Sequence, residues 1–530
     1  MQKPFPQQHI ITIGVGALLL CVLAAYSNIF HNAFLLDDEF LIQKNRYLTS
    51  FGFLPFIFTS SSTSGAAGID SFYRPLQTVI YLITHQLAGL SAPAFHIPNL
   101  ILHLFNTCLV VVLGLRLGMA RLPVFIAAAL WALHPMHTEA VTYMSATADT
   151  LYSFFCLCGL AIITQGITGR TMLLACCAFI LALLSKETAL AFPLLVLACI
   201  YRNDVHRHTI APYLKTWPLW VIALGYVILR MTILKLNGLD FYKVQNIYTE
   251  HFFVRFFTFA ATLPDYLALI FYPANLHFDR AFPVYADASS IKVIIGIAIF
   301  ILCTSIVLYS FIRKKTSAAW VCITWGLLWF GFAHLLHTGL LIPVNAFFLE
   351  HWMYLPSIGL FLALCEHGVH SINQLKSDTA QTLGLCVVII IAGTLGILTY
   401  QQNAVWATPI SFYSNILKNG GEKARVHNNI AMAYDDAGDT ASAITHYTRA
   451  IEIEDNYAQT RYNLAQVLLK ISPTNAPQAM HHLQRAVEIN PDFFQAYKVM
   501  GQLYQRQGDT EKAKENQLKF LNLMKKYLQY

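Results

Sequence analysis

The sequence predicts an all-α protein in two parts, a polytopic membrane bundle followed by a C-terminal domain of helical repeats. Of its 530 residues, 56% are hydrophobic and 12% are charged, and the mean hydropathy is +0.51. Soluble domains carry about a quarter charged residues. The charge is also uneven, since it is dense after position 400 and sparse before it. We therefore expect residues 1–400 to lie largely in lipid and the remainder to be water-exposed.

Apolar stretches of spanning length recur through residues 1–400. A helix needs about 20 predominantly apolar residues to cross the bilayer. The first stretch follows a short start with one lysine and lacks a small-residue cleavage site, which predicts a retained span. About eleven spans are predicted, at His9–Phe30, 96–118, 121–135, 138–164, 171–185, 187–201, 217–236, 291–312, 317–339, 343–368 and 381–400. Stretch 171–201 is one long helix or two short ones.

Basic residues between the spans predict the topology. Alternation from a cytoplasmic N-terminus puts Arg116, Arg121 and Arg170 inside, as the positive-inside rule favours. Two long loops, 31–95 and 237–290, are then external, and so is the C-terminal part. Within the second loop, stretch 251–273 contains two charges and a proline, which favours an interfacial helix.

Other classes of site and partner are disfavoured. The net charge of +7 arises from residues dispersed at the ends of apolar runs, which argues against nucleic-acid binding. All 11 cysteines lie in or beside apolar runs, so neither a disulfide framework nor a cysteine zinc site is predicted.

A carboxylate cluster follows the first span. Asp37, Asp38 and Glu39 begin the first external loop. Neighbouring acids raise one another's pKa, which suits such a group to accept a proton. The alternative is a set of solvated acids at a helix end.

Residues 423–530 contain an internal repeat with a period of 34 to 36 residues, joined to the membrane part by a linker at 401–422. Small residues at fixed offsets let paired helices approach closely, which is the tetratricopeptide pattern. About three repeats and a final helix at 514–529 are predicted, with a concave surface for a peptide or partner protein; oligomerisation is the alternative role. The repeating positions are Ala431, Tyr434, Ala443, Tyr447, Ala450 and Asp455, then Ala465, Leu468, Ala479, Leu483, Ala486 and Pro491, then Gly501, Tyr504 and Ala513.

Polar motifs mark the predicted external ends of the spans. Ionisable side chains within spans usually face a cavity or a partner and mark a site. The motifs are YRPL at 73–76, His96-x-x-Asn99-x-x-x-His103, HPMHTEAV at 134–141, Ala148-Asp149, LSKE at 184–187 and LEHWMYLP at 349–356.

With these motifs the chain resembles the GT-C glycosyltransferases, most closely the transmembrane and tetratricopeptide-repeat O-mannosyltransferase family and its bacterial relatives. The resemblance rests on Asp37-Asp38, the motifs above, FYPANLHFD at 271–279 and the repeats, which follow in the family's order over nearly the whole chain. It implies transfer of a sugar from a polyprenyl-phosphate donor to an acceptor on the extracytoplasmic side.

Two positions depart from the family pattern. Where the family commonly has Gly-Arg-Ala-Asp, this chain has Ala146-Thr147-Ala148-Asp149, so Thr147 takes the place of the arginine. Where Glu-Arg is common, this chain has Glu350-His351. Two cationic positions are lost, and an unperturbed imidazole is only partly protonated at neutral pH. Donor affinity or identity is therefore expected to differ, or activity to be weak.

The resemblance implies an inverting displacement with Asp37 as general base and Asp38 as an orienting group. Arg74 and Lys186 are the predicted phosphate ligands. Further donor-binding or cavity-lining positions are His103, His134, His137, Glu139, Asp149, Glu187, Glu350 and His351. For His134 and His137, capping of a helix start is an equal alternative.

No cofactor is predicted. Two acids and an imidazole also suit a divalent ion, but the close O-mannosyltransferase relatives look metal-independent, and no Gly-rich nucleotide loop is evident. The expected partners are a polyprenyl-phosphate sugar, membrane lipid, and an acceptor polypeptide or partner protein docking on the repeats. The expected location is a bacterial inner membrane with the repeats on the periplasmic side.

Three other functions are considered. The first is a GT-C transferase that glycosylates a cell-envelope glycan or lipid. The second is a non-catalytic membrane scaffold for the repeats, which the losses at Thr147 and His351 favour and the presence of Asp37, Arg74 and Lys186 disfavours. A transporter is least favoured, because no inverted repeat of broken helices is seen.

Overall fold

The computed structural model describes residues 7–66, 72–204, 210–234, 246–313, 317–375 and 377–528. Of the predicted second loop, residues 237–245 lie outside this description, as do 529–530 of the repeat domain. The described ranges contain helices and turns but no strand, so the all-α prediction is confirmed. Contacts divide the chain into a first unit, 1–278 with 282–407, and a second unit, 279–281 with 408–530.

The first unit is built from thirteen α-helices of ten or more residues within the described ranges. Several begin with proline in the first turn, where its missing N–H costs nothing. The helices are Gln7–Ala25, Pro75–Ala88, Ala92–Arg116, Arg121–Ala132, Thr147–Ile163, Gly169–Leu183, Phe192–Asp204, Trp217–Thr232, Phe252–Phe271, Ile291–Ile312, Ala318–His334, Pro356–Asn373 and Asp378–Val405.

Eight segments of the described ranges are long and apolar enough to cross a membrane. Two shorter apolar helices, Arg121–Ala132 and Gly169–Leu183, accompany them. The eight are Ile11–His31, Ala92–Arg116, Met144–Ile163, Ala211–Thr232, Phe252–Phe271, Ile291–Ile312, Ala318–His337 and Asp378–Val405. The prediction of a multi-pass membrane protein is confirmed, while the count of eleven spans stays a prediction.

Two predicted spans are interrupted near their polar ends. Stretch 138–164 contains the short helix Thr138–Thr142 and a turn, Met144–Ala146, before its main helix begins at Thr147. Stretch 343–368 becomes helical only at Pro356, after the turn Glu350–Met353. In both places the turn is held by hydrogen bonds from distant side chains, which local hydropathy does not report.

The stretch 171–201 forms two helices, as one of the two predicted alternatives has it. Gly169–Leu183 starts with a capping box in which Thr168 and Thr171 exchange hydrogen bonds. The turn Glu187–Ala191 then separates it from Phe192–Asp204. Lys186 and Glu187 therefore lie at the junction of two helix ends.

The prediction of an interfacial helix at 251–273 is not supported by the packing. Phe252–Phe271 runs antiparallel to Ile291–Ile312, because Lys292 pairs with Asp265 at 2.7 Å and Phe300 contacts Phe256. Pro264 lies inside the helix without ending it. A helix that lay flat on the membrane surface would not align with a long apolar helix in this way.

The second unit is a stack of paired helices, as the tetratricopeptide pattern predicts. Its core contains the small residues of the repeat, such as Ala431, Ala465 and Ala486, around the buried ring of Tyr447. The predicted linker 401–422 is largely helical, because it contains the end of Asp378–Val405 and the helix Pro409–Lys418. The remaining helices are Ala424–Asp436, Thr440–Ile453, Ala458–Ile471, Ala476–Ile489, Phe494–Arg506 and Thr510–Leu528.

Candidate active site

The two acids of the first loop differ in their surroundings. Asp38 is only 1% exposed, and its carboxylate accepts hydrogen bonds from the backbone N–H of Leu35 at 2.9 Å and from Ser145. Ser145 donates its backbone N–H at 2.9 Å and its hydroxyl at 2.5 Å to the same oxygen. Asp37 is exposed, and its backbone N–H donates to the hydroxyl of Tyr143 at 3.0 Å. The hydrogen bonds of Asp38 thus fix the backbone of the loop that carries the exposed Asp37 carboxylate.

Backbone strain precedes the acid pair. Leu36 has a φ of 53°, in the left-handed region that costs a leucine about 1–2 kcal/mol. Such strain clusters at functional sites, where the surrounding structure maintains it. Here the three hydrogen bonds to the Asp38 carboxylate fix the residues on both sides of the strained turn.

The partner turn, 143–146, is held from two neighbouring helices. Gln77 donates to the carbonyl of Ser145 at 2.8 Å, and Tyr81 donates to the carbonyl of Met144 at 2.6 Å. Asn99 donates to the carbonyl of Tyr143 at 3.1 Å. These hydrogen bonds fix the backbone of the turn. Because the backbone N–H of Asp37 donates to Tyr143 of the turn, they also fix the position of Asp37.

Two ion pairs lie side by side at the junction of Gly169–Leu183 and Phe192–Asp204. Lys186 contacts both carboxylate oxygens of Asp149, at 2.7 and 2.8 Å, and both side chains are at most 5% exposed. Arg74 donates to Glu187 at 3.1 and 3.4 Å, with 15% of its side chain exposed. Of the two predicted phosphate ligands, Arg74 is therefore the more accessible and Lys186 the more enclosed.

The ion pairs and the acid pair belong to one region of the first unit. Asp149 lies four residues, about one helical turn, after Ser145, which Asp38 binds. The charges of both Asp38 and Arg74 act on Tyr81. The predicted base and the predicted phosphate ligands are thus brought together at one end of the bundle.

A third cation, Arg230, was not predicted. The charges of Arg74 and Arg230 both act on the Glu187 carboxylate. Arg230 lies in the last turn of the apolar helix Trp217–Thr232, within the predicted span 217–236. Its position at a predicted external end runs against the positive-inside rule, and this exception was the signal in the sequence that would have identified it.

Glu139 supports the segment that contains Glu350 and His351. Its carboxylate accepts the backbone N–H groups of Glu350 at 2.9 Å and His351 at 3.2 Å, and it contacts the His351 ring at 2.6 Å. Glu350 in turn accepts the backbone N–H of His277 at 2.9 Å. These two acids position loops of the bundle.

Three histidines predicted to line the cavity are fully buried; His103 and His134 use both ring nitrogens on protein groups, and His137 uses one. His103 contacts the hydroxyl of Tyr354 at 2.8 Å and a carbonyl at 3.0 Å. His134 accepts the backbone N–H of Met136, so it caps the turn Pro135–His137, and His137 contacts Ser357. The geometry favours the capping alternative for His134, and a role in donor binding remains a prediction for all three.

The described residues contain no group of three or more His, Cys, Asp or Glu side chains suited to hold a metal ion. The metal-free expectation stays a prediction.

Comparison with known proteins gives two matches to the family "Tetratricopeptide repeat", at residues 424–457 and 482–515. Protein O-mannosyl-transferase F38B6.6 of Caenorhabditis elegans is 25% identical over 399 residues, 73% of this chain and 54% of that protein. Human protein O-mannosyl-transferase TMTC3 is 23% identical over 600 aligned residues, 97% of this chain and 64% of that protein. The chain therefore spans about half to two thirds of the length of these relatives.

Among solved structures, ArnT from Cupriavidus metallidurans bound to undecaprenyl phosphate aligns with 86% of this chain and 81% of that chain. The TM-score is 0.35 and the identity is 12%. The sequence similarities confirm the predicted resemblance: along nearly its whole length the chain is similar to protein O-mannosyl-transferases of the transmembrane and tetratricopeptide-repeat type.

Proposed function

We propose that the protein is a membrane glycosyltransferase that moves a hexose, taken to be mannose, from a polyprenyl-phosphate donor to Ser or Thr hydroxyls of exported proteins. One observation carries the proposal. An exposed carboxylate, Asp37, is fixed on a buried frame in the same region as the cations Arg74 and Lys186. A base and a group of cations are the two features that glycosyl transfer from a phosphate donor needs.

The proposed reaction is a single displacement with inversion. The acceptor hydroxyl oxygen attacks the anomeric carbon while Asp37 takes its proton. The bond between that carbon and the phosphate oxygen breaks, and polyprenyl phosphate leaves with the electron pair. Cations near the leaving oxygen stabilise the charge that develops there.

Arg74 is the proposed direct phosphate contact. Its guanidinium can grip phosphate through two parallel N–H donors, and it is more exposed than Lys186. Lys186 is held by both oxygens of Asp149, so it acts on the phosphate at longer range or after exchanging partners. The residues Glu139, Glu187 and Glu350 position loops around the reacting groups.

The proposed topology starts from a cytoplasmic N-terminus, and the last helix of the bundle ends where the first one ends, because Asn28 and Asn32 donate to the carbonyls of Tyr400 and Asn403. With the N-terminus inside, the end of the bundle that holds Asp37 and Arg74 faces the periplasm of a bacterial inner membrane, and the repeats follow on the same side. The repeats are proposed to dock the acceptor polypeptide. The matched repeats support the docking proposal.

The test is transfer of radiolabelled mannose from synthetic polyprenyl-phosphate mannose to membrane proteins by the purified chain, with a chelator in a parallel sample. Label that is released from protein by alkaline β-elimination, in both samples, is the expected result. Label only in lipid or glycan would mean a different acceptor. Absence of all transfer with several polyprenyl-phosphate hexoses would contradict the proposal.

A further inference from the structure

His337 is a buried histidine that the proposed reaction has not used. It is 5% exposed, and neither of its ring nitrogens has a hydrogen-bond partner. Within the part of the chain that the structure describes, no other histidine has both ring nitrogens buried without a partner. Buried polar groups are nearly always hydrogen-bonded, because an unmade bond costs free energy. An imidazole left in this state indicates a ligand that binds there.

The ring of His337 is fixed in place. It stacks on Trp352 with 4.9 Å between ring centroids and an angle of 29° between the planes. On another side it contacts the ring of His334 at 5.7 Å. A side chain held between two rings is already ordered before a ligand binds, so binding costs little further side-chain conformational entropy.

His337 lies in the same region as the ion pairs Lys186–Asp149 and Arg74–Glu187. The turn Leu335–His337 contacts the turn Glu187–Ala191, which directly follows Lys186. The charges of Lys186 and Arg74 both act on His337. An imidazole N–H in the region of these two cations suits an anionic oxygen better than a sugar hydroxyl or an apolar group.

A buried water is the competing explanation. A cavity of about 10 Å³ lies beside His337, lined by polar groups including Thr258, Thr262 and Thr338. This is room for about one water molecule. The two nitrogens of an imidazole point in divergent directions, so one water can serve only one of them. The second nitrogen still needs a partner.

We propose that His337 donates a ring N–H to a phosphate oxygen of the lipid-linked donor, next to Arg74 and Lys186. The inference rests on the proposed function, because it assumes a polyprenyl-phosphate donor. It adds an imidazole hydrogen-bond donor to the two cations predicted from the sequence.

The test is equilibrium binding of radiolabelled undecaprenyl phosphate to the purified full chain. His337→Phe keeps a ring on Trp352 but removes the N–H donor, and it should weaken binding about tenfold or more. His337→Gln keeps an N–H donor and should lose less. His367→Phe changes an exposed histidine of Pro356–Asn373 and should bind as the wild type does. Binding of the matching polyprenol, which has no phosphate, should not change in any variant.

Thermal unfolding of each variant checks that it is folded, and His337→Met, with an adaptable apolar side chain, repeats the test if His337→Phe does not purify. Unchanged phosphate binding in His337→Phe would overturn the inference and leave the proposed function standing. Equal losses for undecaprenyl phosphate and polyprenol would also overturn it. If the wild-type chain binds no undecaprenyl phosphate, the inference and the proposed donor fail together.

Discussion

Asp37 and Asp38 are adjacent in sequence and have opposite surroundings. Asp38 is enclosed and accepts three hydrogen bonds, while Asp37 is exposed with its backbone bonded to Tyr143. The sequence alone leaves open which of the two takes the acceptor proton. The accessible carboxylate is the one that an acceptor hydroxyl can reach, so the structure favours Asp37 as the base and Asp38 as its support.

Asp38 gives a pH-dependent prediction. Burial raises the pKa of its carboxyl to about 7, against the hydrogen bonds from Leu35 and Ser145 that lower it. The folded protein therefore keeps a proton that the unfolded chain releases near pH 4. Between about pH 4 and 7 the folded state binds more protons, so stability falls as the pH rises and then levels off. The total effect is at most about 4 kcal/mol.

The measurement is the thermal unfolding midpoint of the wild type minus that of Asp38→Asn, taken in detergent from pH 4.5 to 8. Asparagine cannot titrate, so the difference should decrease as the pH rises to about 7 and stay constant above it. Parallel curves for the two proteins across this range would show that the carboxyl titrates as it does in the unfolded chain.

The sequence predicts the ionisable residues of the candidate site because a charge in an apolar run is conspicuous. It did not identify their partners, since Arg74 meets Glu187 across 113 positions of the chain. For the same reason it did not separate His134, which caps a turn, from a ligand-binding histidine. Arg230 and His337 were missed because each lies at the end of a helix that reads as an ordinary span.

Among the elements, the junction between Gly169–Leu183 and Phe192–Asp204 depends on a buried ion pair. Lys186→Met should destabilise the protein by about 3–5 kcal/mol, because it leaves the Asp149 carboxylate buried and unpaired. The double variant Lys186→Met with Asp149→Leu should recover most of this stability. Thermal unfolding measures both, and an equal loss in the single and double variants would contradict this account of the pair.

Two helices of the bundle pack closely at a glycine. A Cβ atom at Gly296 would overlap the carbonyl oxygen of Ala260, which lies in the neighbouring helix Phe252–Phe271. Gly296→Ala should therefore force the helices apart and cost about 1–3 kcal/mol.

Gly225→Ala is the matched control, because a Cβ there meets no atom within 4 Å. It should be neutral or slightly stabilising, as alanine favours a helix. Unfolding midpoints that fall equally in the two variants would argue against a close contact at Gly296.

The packing also explains why hydropathy misjudged Phe252–Phe271: its charges and proline suggested an interface, but Asp265 is neutralised by Lys292 of the helix it packs against.

At the scale of the whole molecule, the chain joins a bundle that holds the candidate site to a separate unit of repeats. The sequence predicts a division of this kind from a change in charge density and a 34-residue period, which are global signals that survive local errors. Boundaries were less certain, since the stretch taken as a linker contains the helix Pro409–Lys418.

Removal of residues 408–530 should reduce transfer to folded or long polypeptide acceptors more than transfer to short peptides. A docking surface raises the local concentration of an acceptor without taking part in the chemistry, so the loss should appear mainly in KM. Equal losses for long and short acceptors would instead point to a structural role for the repeats.

The most direct test of the central claim is the rate of mannosyl transfer by Asp37→Asn, measured with the assay in which the wild type is active. A positioned general base contributes about 10²–10⁴-fold, so transfer should fall by at least about a hundredfold, while undecaprenyl-phosphate binding and the unfolding midpoint stay at wild-type values. Transfer within a few fold of the wild type would contradict the assignment of Asp37 as the base and, with it, the account of the site given by its geometry.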